Sequence, residues 1–190
     1  MTVLEVKMNI FVLDNCPIKS AQLQCDKHVV KMIVESAQML STAHRMLDGA
    51  EERRPSKSGK TNVKYWVLPD ARENVLYKAV HMYHPCTVWT CESKANYDWH
   101  YKHFVALCDE YTHRYEKIHL TDTLLRDILK LSPENIPDCP QTEFKLAMGS
   151  NPECMFRDVV KSYRAFYQTK QERFTMLWSK REMPNWFLTT

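Results

Sequence analysis

Residues 25–46 read CDKHVVKMIVESAQMLSTAHRM, and this stretch decides the fold because it predicts one long, largely covered helix. At about 100° per residue, counted from His28, most apolar side chains fall on one face. That face carries Val29, Val30, Ile33, Val34, Ala37 and Leu40. The polar side chains are confined to an arc of about 100° on the other side. A stripe this narrow is typical of a helix that lines a cleft.

The polar stripe combines an acid, a histidine and lysines at successive turns. Its members are Gln24, Lys27, His28, Lys31, Glu35, Gln38 and Thr42. We expect Glu35 to be the catalytic carboxyl group, with His28 and Lys31 as its catalytic partners and Lys27 as a substrate contact. The alternative interpretation is structural, because Lys31 and Glu35 are spaced as an i, i+4 ion pair worth about 0.2–0.5 kcal/mol at a surface.

A second polar and aromatic cluster lies in residues 81–100, HMYHPCTVWTCESKANYDWH. Trp89, Glu92, Asn96 and Trp99 recur at i, i+3, i+7 and i+10, so one helix would carry all four on one face. A carboxylate and an amide between two indoles would suit a flat, hydrogen-bonding ring such as a flipped nucleobase. We therefore expect these four residues to bind substrate. The alternative is that both indoles pack in the core.

Basic residues alternate with aromatic ones after residue 156. Arg157, Lys161, Arg164 and Gln168 recur at helical spacing, and aromatic side chains lie largely on the opposite face. This composition suits a nucleic-acid backbone, with Lys161 and Arg164 as phosphate contacts. DNA is therefore the expected partner. The alternative is a solvated basic face that covers an aromatic core.

Composition excludes several classes of protein. Hydrophobic residues make up 44% and charged residues 26% of the 190, as in ordinary globular chains. The three glycines, Gly49, Gly59 and Gly149, are too far apart for a phosphate-binding loop. No apolar run approaches the roughly 18 residues of a membrane span, so a membrane partner is not expected. Acids near the N-terminus argue against a signal peptide, and we expect a cytoplasmic protein.

Cysteine and histidine spacings give no expected metal or cofactor. The seven cysteines are odd in number and contain no CxxC pair, which favours reduced thiols. His81 and His84, and His100 and His103, are i, i+3 pairs that suit one ion, but neither forms an HExxH motif. A further alternative makes Cys86 a nucleophile activated by the nearby His84.

The overall pattern predicts a mainly α protein, a single compact helical domain over residues 1–190 with a short extended segment at residues 8–14. We expect helices at residues 18–46 with a break near Cys25, 71–83, 88–117, 122–131 and 151–178. Thr121 is the expected N-cap of the fourth of these helices. Residues 49–64, GAEERRPSKSGKTNVK, are polar and are predicted to form a mobile loop.

Four blocks of the sequence carry a resemblance to a known family. The blocks CDKHVVKMIVESAQMLSTAHR, HPCTVWTCES, LCDEYTHRY and DVVKSYRAFY…MPNWF resemble a family of proteins common in tailed phages. In outline this family is similar to pyrimidine-dimer DNA glycosylases of the endonuclease V type. The resemblance implies a compact helical enzyme with an early helix that carries basic residues and a catalytic glutamate. MNIFVLD, the Lys27–Glu35 stripe and Pro184–Phe187 occupy the corresponding places.

Two departures from the endonuclease V pattern bear on the chemistry. Those enzymes attack the sugar with an N-terminal threonine amine, whereas Thr2 lies ahead of Met8, where the resemblance begins. Their arginine–glutamate pair is replaced by Lys31 and Glu35. We therefore expect a phage DNA-acting enzyme of glycosylase or base-modification type, in the cytoplasm of an infected host cell. The alternatives are a non-catalytic module that binds nucleic acid or a host protein, and an enzyme acting on free nucleotides.

Overall fold

A computed structural model describes residues 8–56 and 58–189, which form a mainly α structure with one small two-stranded sheet. The α-helices are α1 (Pro17–Gln22), α2 (Asp26–Asp48), α3 (Arg72–Val75), α4 (Pro85–Glu92), α5 (Lys94–Tyr115), α6 (Leu120–Leu129) and α7 (Val159–Gln168). Two 3-10 helices, Pro152–Cys154 and Thr169–Glu172, flank α7. The strands are β1 (Ala50–Pro55) and β2 (Asn62–Val67).

Helix α2 is the centre of the fold and packs against α4, α5 and α6. The predicted break at Cys25 is confirmed, because Cys25 has extended backbone and separates α1 from α2. The helix ends at Gly49, where a Cβ atom would lie only 2.4 Å from the Arg45 carbonyl oxygen. Ile33 is fully buried as predicted, but Val30 of the expected apolar face is 37% exposed. The helix is therefore rotated slightly from its sequence-based wheel.

Residues 49–64 were expected to form a loop, and this prediction is wrong for most of them. Strands β1 and β2 pair antiparallel with Glu52 opposite Tyr65. The Lys64 ammonium lies 2.9 Å from Glu51, and Arg54 lies over the Tyr65 ring. The first strand is exposed along its length, so it lacks the alternation of polar and apolar residues by which a strand is usually recognised.

The helix predicted at 71–83 ends after one turn, at Val75. The cause is Arg45, whose side chain is almost completely buried and whose guanidinium donates to the carbonyl oxygens of Glu73, Leu76 and Tyr77. Those carbonyl groups are thereby satisfied without further helical turns. Residues 76–84 consequently run as irregular chain towards α4.

The helix predicted at 88–117 is two helices, and the break is at Ser93. Ser93 has extended backbone, and its hydroxyl accepts a hydrogen bond from the Asn96 backbone N–H, so it caps a new helix. Trp89 and Glu92 therefore lie on α4, whereas Asn96 and Trp99 lie on α5. The single helix face predicted for these four residues does not exist.

The helix predicted at 151–178 is also interrupted. A 3-10 turn is followed by an irregular stretch, and Asp158 then caps α7 by accepting from the Lys161 backbone N–H. Arg157 consequently precedes the helix and does not extend the predicted basic face. Helix α6 begins two residues earlier than predicted, with His119 and not Thr121 as its N-cap.

The N-terminal segment is threaded into the core. Residues 8–13 are buried and contain neither helix nor strand, so the predicted extended lead is an irregular internal segment. Ser20 holds this segment in place, because its hydroxyl donates to the Phe11 carbonyl oxygen and accepts from the Leu13 N–H. At one end of the polar stripe of α2, Gln24 donates to the Ile10 carbonyl oxygen of this segment, and at the other end Thr42 donates to the Val80 carbonyl oxygen.

Candidate functional site

The polar stripe of α2 is more covered than the sequence indicated. Gln24 and Thr42 are fully buried, and each is hydrogen bonded to a different segment of backbone. Lys27 and Lys31 are exposed between them. The two ends of the stripe thus hold neighbouring chain in place, and its middle reaches the surface.

Glu35 lies at the edge of this exposed middle and is 5% exposed. Its Oε1 lies 2.9 Å from the Lys31 ammonium, and its Oε2 accepts a 3.1 Å hydrogen bond from the Asn9 backbone N–H. Burial raises the pKa of the Glu35 carboxyl, and this outweighs the opposing effects of Lys31 and Asn9. A carboxyl in such a setting can hold and release a proton nearer to neutral pH.

His28 lies about two helical turns before Glu35 and is surrounded by aromatic rings. Its ring stacks on Phe11 at 4.8 Å and meets the edge of Phe174 at 5.4 Å. Its Nδ1 lies 2.8 Å from the Tyr167 hydroxyl. Burial lowers the pKa of His28 to about 3, with further lowering by the charges of Lys31 and Lys170. At neutral pH His28 is therefore an uncharged imidazole.

A tight turn before α4 contributes to the same region. The His84 N–H donates to the His81 carbonyl oxygen at 2.9 Å, which places Tyr83 at the turn with 83% of its surface exposed. The smallest of the influences on the pKa of Glu35 is a lowering effect of His81, so the turn lies in the general region of that carboxyl. His84 caps α4 through its Nδ1, and burial lowers its pKa.

Unusual backbone conformation marks both sides of this region. Phe11 has φ 52° and His81 has φ 48°, in the left-handed region that is costly for side chains of this size. Phe11 stacks on His28, and His81 begins the turn that precedes α4. Strained residues of this kind persist where the surrounding structure enforces them, and they concentrate at functional sites.

We call this region the Glu35 face. It comprises Lys27, His28, Lys31, Glu35, His81, Tyr83, His84 and Lys170. The Lys27 ammonium lies 4.6 Å from the centre of the Phe174 ring, and that of Lys170 lies 3.4 Å from the centre of the Phe166 ring. The face thus combines lysines held over aromatic rings with a buried carboxyl and an uncharged imidazole.

The structure does bring Trp89 and Trp99 together, but in the core. Their rings meet edge to face at 5.8 Å, and Phe144 packs against both. Trp89 is 1% and Trp99 7% exposed. The stacking role predicted for these indoles is therefore contradicted, because both rings are buried and Phe144 packs against them.

Asn96 and Glu92 hold a loop and do not face an open site. The Asn96 side chain donates to the Trp89 carbonyl oxygen and to the Thr142 hydroxyl, and accepts from the Thr142 N–H. Glu92 accepts from the same hydroxyl at 2.8 Å and lies 3.2 Å from the Lys145 ammonium. Both predicted substrate contacts are thus occupied by the chain itself.

The two phosphate contacts predicted on α7 differ in their surroundings. Lys161 is exposed, with its ammonium 4.6 Å from the centre of the Phe156 ring. Arg164 instead donates to the Leu13 carbonyl oxygen at 2.9 Å, and its guanidinium lies over the Trp186 ring. Lys161 fits a surface contact, whereas Arg164 is part of the packing between α7 and the N-terminal segment.

The histidine pairs and Cys86 do not form the alternative sites considered from the sequence. His100 bonds to the Thr90 hydroxyl, and His103 to the Pro17 carbonyl oxygen. Across residues 8–56 and 58–189, no three His, Cys, Asp or Glu side chains are grouped to hold a metal ion. Cys86 is 2% exposed, its sulfur contacts the Tyr163 hydroxyl, and burial raises the pKa of its thiol to about 12, so it does not have the setting of a thiolate nucleophile.

Two tyrosines of this region were missed from the sequence. Tyr167 contacts His28 across 139 positions of sequence, which no local pattern reveals. Tyr83 carried a weak signal, because His84-Pro85 is a plausible helix start that leaves the preceding residue outside the helix. Thr2 lies outside the described residues.

Comparisons with protein-family models, curated proteins and solved structures give no match to this chain. None of the described helices is both long enough and apolar enough to cross a lipid bilayer.

Proposed function

We propose that this protein is a phage enzyme that acts on a nucleobase or on deoxyribose in DNA, with the Glu35 face as its substrate side. The observation that carries the proposal is the environment of Glu35. Its carboxyl is nearly buried, has a raised pKa, and borders a face of lysines and histidines. Perturbed carboxyl groups in cationic surroundings are typical of acid–base sites on anionic substrates.

Glu35 supplies the chemistry in this proposal. As a carboxylate it stabilises positive charge on a sugar whose base is leaving, and it accepts the proton of an attacking water. As a carboxylic acid it donates a proton to a leaving base. Lys31, 2.9 Å away, favours the ionised form and lies where it could meet a nearby phosphate.

DNA contact in this proposal uses side chains that are exposed. Lys27, Lys31 and Lys161 are exposed and would contact phosphates. Tyr83 takes the stacking role that buried Trp89 and Trp99 cannot take, because most of its surface is open. DNA is proposed as the substrate because of these exposed cations and the resemblance to DNA glycosylases.

A second candidate is a nucleic-acid binding module without catalysis. It is favoured by the two bonds of Glu35, to Lys31 and to the Asn9 N–H, because together they give this carboxyl a structural role. In that case the same lysines and Tyr83 would bind DNA, and Glu35 would only fasten the N-terminal segment to α2.

Nicking and base-release assays on undamaged and ultraviolet-irradiated duplexes test the proposal. We expect activity from the wild-type protein and its loss in Glu35→Gln. Glu92→Gln is the control, because it neutralises a partly buried carboxyl elsewhere in the fold that is also paired with a lysine and bonded to a threonine. Binding without base release, nicking or altered nucleosides on any of these DNAs would favour the binding module.

A further inference from the structure

The Tyr167 hydroxyl lies between two nitrogen atoms at the start of α2, the backbone nitrogen of the N-cap residue Cys25 and a ring nitrogen of His28. It is 2.8 Å from the Cys25 backbone nitrogen and 2.8 Å from His28 Nδ1. Tyr167 and Cys25 are fully buried, and His28 is 6% exposed. These bonds therefore form where solvent does not compete strongly for the same donors and acceptors.

The direction of each hydrogen bond follows from counting protons. A backbone N–H can only donate, so the Tyr167 oxygen accepts from Cys25 and keeps its own hydrogen for another partner. The thiol of Cys25 is also within reach of this hydroxyl. Sulfur is a weak acceptor compared with an imidazole nitrogen, so donation to His28 Nδ1 is the strongest use of the Tyr167 hydrogen. That arrangement puts the proton of the neutral ring on Nε2.

The surroundings of His28 keep the ring neutral and fixed. Phe11 stacks on one side, and Tyr167 and Phe174 meet it edge-on. The ammonium groups of Lys31 and Lys170 disfavour a second positive charge. The His28 ring keeps 6% of its surface exposed, which leaves room for its Nε2 edge to reach the Glu35 face.

We propose that Tyr167 is a positioning residue that holds His28 as the Nε2–H tautomer, so that the ring offers a hydrogen-bond donor to an oxygen of the substrate. The ligand part of this inference rests on the proposed function, whereas the tautomer does not. His28 then acts beside Glu35 as an uncharged donor and not as a general base. The acceptor is a phosphate or base carbonyl oxygen of DNA.

Nitrogen-15 NMR of the histidine side chains tests the tautomer directly at pH 7. The His28 signals are assigned by their disappearance in His28→Asn. We expect a pyridine-type shift for Nδ1 and a pyrrole-type shift for Nε2 in the wild-type protein. A protonated Nδ1, or an even mixture of tautomers, would overturn the inference even if no variant of Tyr167 folds.

Two matched tyrosine variants on α7 separate positioning from packing. Tyr167→Phe removes the donor to His28, and we expect it to shift the ring to a tautomer mixture. Tyr163→Phe removes another fully buried hydroxyl, which donates to the Lys145 carbonyl oxygen and not to His28. It should leave the His28 shifts unchanged. Unchanged shifts in a folded Tyr167→Phe would refute the positioning role.

Activity on DNA gives the second readout. In Tyr167→Phe, part of the His28 population should lose the Nε2–H donor, and turnover should fall by up to about tenfold. Turnover of Tyr163→Phe should match that of the wild type. Equal turnover in Tyr167→Phe and wild type would overturn the donor role. If the wild-type protein neither modifies nor cleaves any DNA, the proposed function and the DNA role of His28 fail together, while the NMR result still decides the tautomer.

Discussion

The Lys31 ammonium lies 2.9 Å from Oε1 of Glu35 across one turn of α2, with 52% of the lysine side chain exposed and only 7% of the glutamate side chain. The pair therefore spans the boundary between solvent and core. Had it been a surface pair, it would contribute little to stability or function. Because Glu35 is the buried partner, its protonation depends on the charges near Lys31. A phosphate bound to Lys31 would weaken the ion pair between the lysine and the carboxyl.

Helix α2 offers a direct test of its orientation. Ile33 is completely buried, and Ile33→Ala should reduce the free energy of unfolding by about 2–5 kcal/mol. Val30→Ala on the same helix is the control. Because Val30 is 37% exposed, this substitution should reduce the free energy of unfolding much less than Ile33→Ala does. Urea unfolding of both variants measures the difference. Equal losses would mean that the face of α2 is assigned wrongly.

Acid should destabilise the protein through its buried histidines. Burial lowers the pKa of His28 to about 3 and of His44 and His103 to about 4, from 6.5 when unfolded. Between about pH 6.5 and 4 the unfolded chain therefore binds more protons, so stability present above pH 6.5 is lost as the pH falls. Each histidine contributes at most about 1.4 kcal/mol per pH unit in this window.

Urea unfolding at pH 7, 5.5 and 4.5 measures this dependence. His103→Gln should reduce the slope, because it removes one of the depressed groups. His113→Gln at an exposed position is the control and should keep the wild-type slope. Stability that is constant from pH 7 to 4.5 would contradict the buried, neutral state of these rings.

Salt dependence distinguishes surface cations from packed ones. Lys27 and Lys161 are exposed, and alanine at both should lower the log–log salt slope of duplex DNA binding by up to about 1.8, or 0.9 for each phosphate contact. Arg164→Ala should instead lower the melting temperature, because Arg164 bonds to the Leu13 carbonyl oxygen. Fluorescence anisotropy across a salt series, with thermal melts, measures both effects. An unchanged slope in the folded double variant would remove the electrostatic support for DNA binding.

Tyr83 is expected to be a base-stacking residue. Tyr83→Ala should weaken binding of DNA with an unpaired or flipped base by about 1–3 kcal/mol and leave the thermal melt unchanged, because 83% of its surface is exposed. Leu131→Ala is the matched control at another exposed apolar side chain, 75% exposed. Identical affinities for wild type and Tyr83→Ala would assign the turn a purely structural role.

Local sequence patterns were sufficient to predict those elements of the fold that neighbouring residues in the sequence determine. The helical spacing of apolar and polar residues predicted α2 and its polar stripe. The single turn of α3 was not predictable in this way, because Arg45 ends it from 28 or more positions away in sequence. The exposed hairpin at residues 50–67 likewise lacks the pattern of a half-buried strand.

The candidate site was predicted where one helix supplies it. Lys27, His28, Lys31 and Glu35 come together because they share a face of α2. The indoles at 89 and 99 were misassigned, because the cap at Ser93 turns the chain and Phe144, from a distant loop, closes over both rings. Tyr167 joins the site through a tertiary contact with His28, and Tyr83 lies in the turn that precedes α4.

The most direct test of the central claim is mass spectrometry of nucleosides and released bases after DNA is incubated with the protein. Untreated and ultraviolet-irradiated duplexes are compared for wild type, Glu35→Gln and Glu92→Gln. The account predicts a changed nucleoside or a released base with wild type and Glu92→Gln, and a rate at least about a hundredfold lower with a folded Glu35→Gln. Full turnover in Glu35→Gln, or no change in either DNA with the wild-type protein, would contradict it.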